Sequence, residues 1–233
     1  MLSAAQIKTI RSLREKKFRD SFGLFVVEGE KMVGEALASG MEVVQVVRKD
    51  EVGEAVMARI SSLSTPPPVL AVVKQAPAQA PEKPRGLCLA LDSIRDPGNL
   101  GTILRIADWF GIDTVYASPD TVEVYNPKVI QASMGTIFRK RPVYCDLPQL
   151  CDIFAAGGME VFGTFLKGDS IYGTKLPEEG LIVMGNESDG ISSGVAEKVT
   201  CRLTIPRFGS PDGAESLNVA VATAVTVSEF RRK

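Results

Sequence analysis

The stretch LCLALDSIRDPGNLGTILRIA, residues 87–107, decides the fold. Its first five residues are apolar and predict a buried strand, whereas its last residues have the apolar periodicity of a helix. A turn rich in Asp, Pro, Gly and Asn joins the two. Turns of this kind, at the carboxyl end of a parallel sheet, carry the functional sites of α/β proteins. The polar groups here are Asn99 and Arg105, and the chain contains no histidine, the commonest general base.

Strands and helices alternate along the chain, which predicts a mainly parallel sheet with helices on both faces. Strands are predicted at residues 87–91, 114–117, 161–165, 181–184 and 202–205. Helices are predicted at residues 100–110, 127–134, 147–155 and 217–230. Upstream, strands at 22–27, 43–47 and 69–73 and helices at 30–38 and 51–63 predict a second, small α/β domain.

A Pro- and Ala-rich segment, residues 75–86, divides the chain and predicts a semi-extended linker. We therefore predict one domain over residues 1–74 and another over residues 87–233. No apolar run reaches the roughly 18 residues that span a bilayer. The N-terminus also lacks the apolar core of a signal peptide, so we expect a cytoplasmic protein.

The composition excludes several classes of site. The four cysteines have no CxxC spacing and the chain has no histidine, so a metal site is not expected, and Cys88 and Cys201 are expected in the core. Neither a GxGxxG fingerprint nor a GxxxxGK[ST] phosphate loop is present. Hydrolases that use histidine are excluded as well. Because the net charge is −1, nucleic-acid binding would depend on a local basic patch.

Three polar segments follow apolar strands: residues 96–105, residues 184–190 (MGNESDG) and residues 205–218 (IPRFGSPDGAESLN). Because the carboxyl ends of parallel strands meet at one edge of a sheet, we expect these segments to converge. A fourth segment, residues 163–168, ends another strand and is expected beside them.

These segments resemble the three motifs of the SpoU/TrmH-type RNA 2′-O-ribose methyltransferases. The matching stretches are NLGTILRIA (99–107), IVMGNESDGI (182–191), and IP (205–206) with SLNVAVA (216–222). In addition, FVVEGEK (25–31) resembles the signature of the family's N-terminal RNA-binding domain. The resemblance implies a catalytic domain with a C-terminal trefoil knot, a ribosomal-protein-like N-terminal domain, and a homodimer that uses S-adenosylmethionine and no metal.

The resemblance also implies site residues. The expected catalytic residues are Asn99, Arg105, Glu187, Ser216 and Asn218. The expected cofactor-binding residues are Thr164, Leu166, Met184, Gly185, Ile205 and Leu217. In the family, the residue matching Arg105 helps to deprotonate the ribose 2′-hydroxyl. Since a free guanidinium has a pKa above about 12, the alternative is that it binds phosphate and lowers the pKa of the hydroxyl by its charge.

Each of these residues also has a structural interpretation. Asn99 and Arg105 are about 240° apart on a helix and do not share a face, so Asn99 is expected at the helix mouth, as N-cap or directed into the site. Ser216 is the expected N-cap of the last helix, with Asn218 in its first turn. Glu187 could simply be an acid near a helix start. Gly185 would let another group approach the backbone closely.

A basic stretch near the N-terminus is the candidate RNA contact. Its cations are Lys8, Arg11, Arg14, Lys16, Lys17 and Arg19, with one acid, Glu15, among them. We expect contacts to RNA phosphates, and a solvated helix face is the alternative. The implied function is methyl transfer to ribosomal or transfer RNA, with ribosomal RNA favoured. The rivals are an inactive RNA-binding or ribosome-assembly factor of the same fold and another nucleotide-binding α/β enzyme.

Overall fold

The computed structural model describes residues 2–79, 81, 85–210 and 213–232, which form two compact units. The first unit contains the described residues up to Pro77 together with Glu123–Arg139. The second contains the described residues of Ala78–Val122 and those from Lys140 onwards. The first unit is therefore discontinuous in sequence, whereas we predicted a continuous domain over residues 1–74.

The first unit is a three-stranded antiparallel sheet with helices. Its strand order is β1-β3-β2. The elements are α1 Ala4–Ser12, α2 Lys16–Phe22, β1 Leu24–Glu28, α3 Glu30–Ala38, β2 Val43–Arg48, α4 Lys49–Val52, α5 Glu54–Ile60 and β3 Val69–Lys74. The basic stretch forms α1 and α2. The single helix predicted over residues 51–63 is instead two helices, because Gly53 has φ of +83° and interrupts the helical backbone.

The rest of the chain forms a six-stranded parallel sheet with the order β6-β5-β4-β8-β7-β9. The elements from residue 87 onwards are β4 Leu87–Leu91, α6 Pro97–Trp109, β5 Val115–Ala117, α7 Pro127–Ser133, β6 Val143–Tyr144, α8 Leu147–Ala156, β7 Val161–Ser170, β8 Gly180–Met184, α9 Ser193–Ala196, β9 Cys201–Thr204 and α10 Val219–Phe230. Of these, only α7 belongs to the first unit. The predicted parallel sheet is confirmed. The strand β6 was missed because two residues show no periodicity. The trefoil knot stays a prediction.

Residues 123–139 belong to the first unit because their side chains pack there. The ring of Tyr125 lies 4.6 Å from the ring of Phe25 on β1. Arg139 forms an ion pair of 2.6 Å with Glu35 on α3. These partners are about 100 residues apart in the chain, and no local pattern in the sequence indicates them.

The strands β7 and β9 pair irregularly near the predicted site. Thr164 and Asp169 both lie opposite Leu203, so the four residues between them stand outside the ladder. A Cβ atom on Gly168 would lie 2.5 Å from the carbonyl oxygen of Arg202, which explains the glycine at this close approach. The irregularity leaves the side chain of Leu166 exposed at the carboxyl end of the sheet.

The strand order indicates that a ligand would bind at the carboxyl ends of β4 and β8. The strand β4 lies between β5 and β8, and all five residues of β4 and of β8 are buried. Successive strands are added on one side of β4 and then on the other, which makes this pair a topological switch point. In open parallel sheets, ligands bind in the crevice that opens at such a point.

Candidate active site

The helix α6 begins three residues earlier than predicted. Asp96 is its N-cap and accepts a hydrogen bond of 2.8 Å from the backbone N–H of Asn99, and Pro97 occupies the first helical position. Asn99 therefore lies in the first turn and is not the cap. Because the cap is supplied by Asp96, the side chain of Asn99 is directed into the site.

Asn99 joins the three motifs in one hydrogen-bond network. Its Nδ2 donates to Oε1 of Glu187, which follows β8. Its Oδ1 accepts a hydrogen bond of 2.9 Å from Nδ2 of Asn218, which precedes α10. These contacts span 88 and 119 residues of chain. The convergence predicted for the polar segments is confirmed for these residues.

Asn218, rather than Ser216, is the N-cap of the last helix. Its Oδ1 accepts hydrogen bonds from the backbone N–H groups of Ala220, at 2.9 Å, and Val221, at 3.3 Å. The prediction of Ser216 as the cap was wrong, because α10 begins at Val219 and Ser216 is exposed before it. Asn218 thus stabilises a helix start with its oxygen and orients Asn99 with its nitrogen.

Arg105 stays apart from this network. It is exposed on α6, and no described residue forms a hydrogen bond or ion pair with it. The expectation that Asn99 and Arg105 lie on different faces follows from the helix period and agrees with this arrangement. An exposed guanidinium that has no internal partner is available to an anionic group of a ligand.

The close approach expected at Gly185 is made by the chain itself. A Cβ atom on Gly185 would lie 2.3 Å from the carbonyl carbon of Gly190 and 2.4 Å from the nitrogen of Ile191. The glycine is therefore required by the tight turn after β8.

The expected cofactor-binding residues differ in accessibility. Met184 is buried, and its carbonyl accepts a hydrogen bond of 2.9 Å from the N–H of Asp92. Leu166 and Leu217 are exposed, and Thr164, Gly185 and Ile205 are partly buried. Sequence reasoning missed the exposed Phe208, whose only signal was an aromatic residue within a polar segment.

Thiol and metal chemistry find no support in the described residues. Burial raises the pKa of the Cys88 and Cys151 thiols to about 11, so both are protonated at neutral pH. Cys88 is buried as predicted, and Cys201 is partly buried. No cluster of three Cys, Asp or Glu side chains in the described ranges could hold a metal ion. Nor does the described part of the chain contain a helix long and apolar enough to cross a bilayer.

The basic stretch separates into exposed cations and one buried arginine. The exposed ones are Lys8, Arg11, Arg14, Lys16 and Lys17. Arg19 is only 2% exposed, pairs with Glu123, and donates to the carbonyl oxygens of Leu13 at 2.8 Å and Arg14 at 2.7 Å. A buried charge needs such partners. The structure therefore corrects the expectation that Arg19 contacts RNA.

Comparison with known proteins identifies the relatives of this chain. Residues 86–228 match the SpoU rRNA Methylase family, and residues 4–52 match the MRM3-like substrate binding domain. The 23S rRNA (guanosine(2553)-2′-O)-methyltransferase RlmP of Bacillus subtilis is 32% identical over 97% of this chain and 96% of that protein. A proposed RNA methyltransferase of the TrmH family from Porphyromonas gingivalis superposes with a TM-score of 0.88 and 42% identity, covering 99% of this chain and 98% of that one. An AdoMet-bound rRNA methyltransferase from Sinorhizobium meliloti superposes with a TM-score of 0.86 and 28% identity, covering 99% and 96%.

The two roles of Asn218 can be separated by substitution. Asn218→Ala should lower the free energy of unfolding by about 1 kcal/mol, because the cap of α10 is lost. Asn218→Asp keeps the accepting oxygen and should change stability by less than about 0.5 kcal/mol, although it cannot donate to Asn99. Ser216→Ala is the control and should leave urea denaturation unchanged. A loss for Ser216→Ala equal to that for Asn218→Ala would contradict the assignment of the cap.

Proposed function

This chain belongs to the SpoU rRNA Methylase family, and we propose that it transfers a methyl group from S-adenosylmethionine to a ribose 2′-hydroxyl of structured RNA. The observation that carries the proposal is the network of Asn99, Glu187 and Asn218, which unites the three motifs at one edge of the sheet. We favour ribosomal over transfer RNA, because the relative from B. subtilis is named for 23S rRNA and residues 4–52 match a substrate binding domain. An RNA substrate also supports the cytoplasm as the place of action.

The described residues fit S-adenosylmethionine. Three apolar side chains are exposed here: Leu166 in the irregular part of β7, Phe208 after β9 and Leu217 before α10. Apolar side chains of this size are favourable against the faces of an adenine ring and unfavourable in water. Residues proposed to hold the cofactor, largely through backbone groups, are Thr164, Leu166, Met184, Gly185, Ile205 and Leu217. The bound cofactor supplies a methyl group that is already activated on a sulfonium.

The residues of the chain orient the acceptor. Asn99 holds Oε1 of Glu187, and the other carboxylate oxygen of Glu187 has no partner among the described residues. That oxygen would accept the hydrogen bond of the ribose 2′-hydroxyl, align it for transfer and take up the proton that the hydroxyl loses. In this proposal Arg105 acts through its positive charge and does not take up the proton. Its charge would bind an RNA phosphate and lower the pKa of the hydroxyl.

Trp109, an exposed apolar residue at the end of α6, supports the homodimer that the resemblance implies. Its side chain is 85% exposed. Exposed apolar side chains of this size mark interaction surfaces, and tryptophan is enriched where interfaces are strongest. We propose that a second copy of the chain covers this surface. We also propose the C-terminal trefoil knot, on the family resemblance alone.

Removing Arg105 should abolish activity without unfolding the protein. We expect Arg105→Ala to lower the rate of RNA methylation by about 100-fold or more, which is the range for loss of a charged catalytic group. Thermal denaturation should be unchanged, because the side chain has no internal partner. Lys198→Ala, which removes an exposed cation paired with Asp152, is the control and should retain activity. Near-normal turnover by folded Arg105→Ala would refute the assignment.

The basic surface of α1 and α2 should determine the salt dependence of RNA binding. Combining Lys8→Ala, Arg11→Ala and Lys17→Ala should reduce the slope of log affinity against log salt by about 2, because each phosphate contact contributes roughly 0.7–0.9. Binding of S-adenosylmethionine should not change. The control combines Lys49→Ala with Lys74→Ala, outside these helices. An equal change of slope in the control would argue against the patch.

Placing a charge on the exposed surface of α6 should separate the dimer. Wild-type protein should sediment at twice the chain mass of 25.0 kDa, and Trp109→Glu should sediment as the monomer. The reason is that an unpaired carboxylate at an apolar interface is costly to bury. Val44→Glu, at another exposed apolar residue, should remain dimeric. A monomeric wild-type protein, or a dimeric Trp109→Glu variant, would refute this interface.

A further inference from the structure

Asn186 connects the two turns that carry the catalytic network. It is only 9% exposed and directly precedes Glu187. Its Nδ2 donates a hydrogen bond of 2.7 Å to the carbonyl oxygen of Ser93, in the turn between β4 and α6. The N–H of Ser192 donates to Oδ2 of buried Asp92, also at 2.7 Å. The turn after β8 is therefore attached at both of its ends to the turn after β4.

The same side chain organises its own turn. Oδ1 of Asn186 accepts hydrogen bonds from the N–H groups of Ser188, at 2.8 Å, and Asp189, at 3.2 Å. The backbone of Asn186 exchanges two hydrogen bonds with Gly190, at 2.9 and 3.0 Å. Both polar atoms of the Asn186 side chain therefore form hydrogen bonds. The backbone is held by hydrogen bonds on both sides of Glu187.

The anchor on the other turn is rigid. Ser93 has φ of +58°, in the left-handed region that non-glycine residues rarely adopt. Its N–H donates to Oγ of Ser118 at 2.8 Å, and its hydroxyl donates to Oδ2 of Asp120 at 2.5 Å. Hydrogen bonds from Ser118 and Ser93 hold the pKa of the Asp120 carboxyl below its usual value, so this acceptor stays charged at neutral pH.

We propose that Asn186 is a positioning residue that holds the carboxylate of Glu187 against Asn99 by tying the β8 turn to Ser93. Glu187 is exposed, so packing does not select its rotamer, and its contact with Asn99 depends on two turns that follow different strands. Misplacement of a reacting group by about 1 Å can cost about 100-fold in rate. The inference rests on the proposed methyl transfer and assigns to Asn186 a role that acts only through Glu187.

Asn186→Asp breaks the connection selectively. The carboxylate retains an acceptor for the N–H groups of Ser188 and Asp189, but it cannot donate to the carbonyl of Ser93. We expect kcat for RNA methylation to fall by about 10- to 100-fold, with the Kd for S-adenosylmethionine within about twofold of wild type. Gln149→Glu, the same chemical change at an exposed position of α8, is the control and should retain kcat. Asn186→Ser, which can still accept within the turn but cannot reach Ser93, should behave like Asn186→Asp.

A double-mutant cycle distinguishes positioning from general damage. If Asn186 acts through Glu187, the variant with both Asn186→Asp and Glu187→Ala should match Glu187→Ala alone within about twofold. A structural role independent of Glu187 would instead make the two losses multiply. Multiplied losses, or an unchanged kcat in Asn186→Asp, would overturn the inference.

A measurement without turnover separates this inference from the proposed function. The side-chain amide resonances of Asn99 report its hydrogen bond to Glu187. They should shift in Asn186→Asp in the same direction as in Glu187→Ala, and remain unchanged in Gln149→Glu. Unchanged resonances in Asn186→Asp would overturn the positioning role even if the wild type methylates RNA. Absence of methylation by the wild type would overturn the proposed function, while the resonances would still decide the role of Asn186.

Discussion

The parallel pairing of β4 with β8 is the constraint on which the site depends. The two strands end in register, with Leu91 opposite Met184, and the N–H of Asp92 continues the ladder to the carbonyl of Met184 at 2.9 Å. The turns that follow the two strands therefore begin at the same level of the sheet. Only from such a start can Asn186 reach Ser93 within one turn. The pairing of Glu187 with Asn99 follows from the same register.

The site combines a hydrogen-bond network of two amides and a carboxylate with the cation of Arg105. Asn99 donates to the carboxylate of Glu187 and accepts from the amide of Asn218. Asn218 in turn accepts from the backbone at the start of α10. Arg105 has no such partner in the described residues. A chain without histidine can thus orient a hydroxyl with a carboxylate and leave a positive charge for the anionic substrate.

In the first unit, one buried arginine has a structural role, whereas the basic residues near it are exposed. Arg19 contacts two carbonyl oxygens and Glu123, so its charge is paired inside the protein. The neighbouring cations of α1 and α2 are exposed and can exchange counterions for phosphates. Within this one run of basic residues, burial therefore distinguishes the structural Arg19 from the exposed cations.

The sequence by itself determined the parallel sheet, most of its strands and helices, and the three motifs that meet at its edge. Local apolar patterns are sufficient for this, because a buried strand and an amphipathic helix each require a fixed spacing of apolar residues. The predicted N-cap at Ser216 was wrong, and of the two possibilities for Asn99 the structure excludes the cap. Several capping residues lie close together in the sequence, and only the backbone decides which one begins the helix. Tertiary structure alone decided that residues 123–139 belong to the first unit and that Arg19 is buried. It alone also decided that Asn186 ties two turns together. These contacts join residues about 90 to 100 positions apart, and the folded backbone, rather than any local spacing, brings their atoms within hydrogen-bond distance.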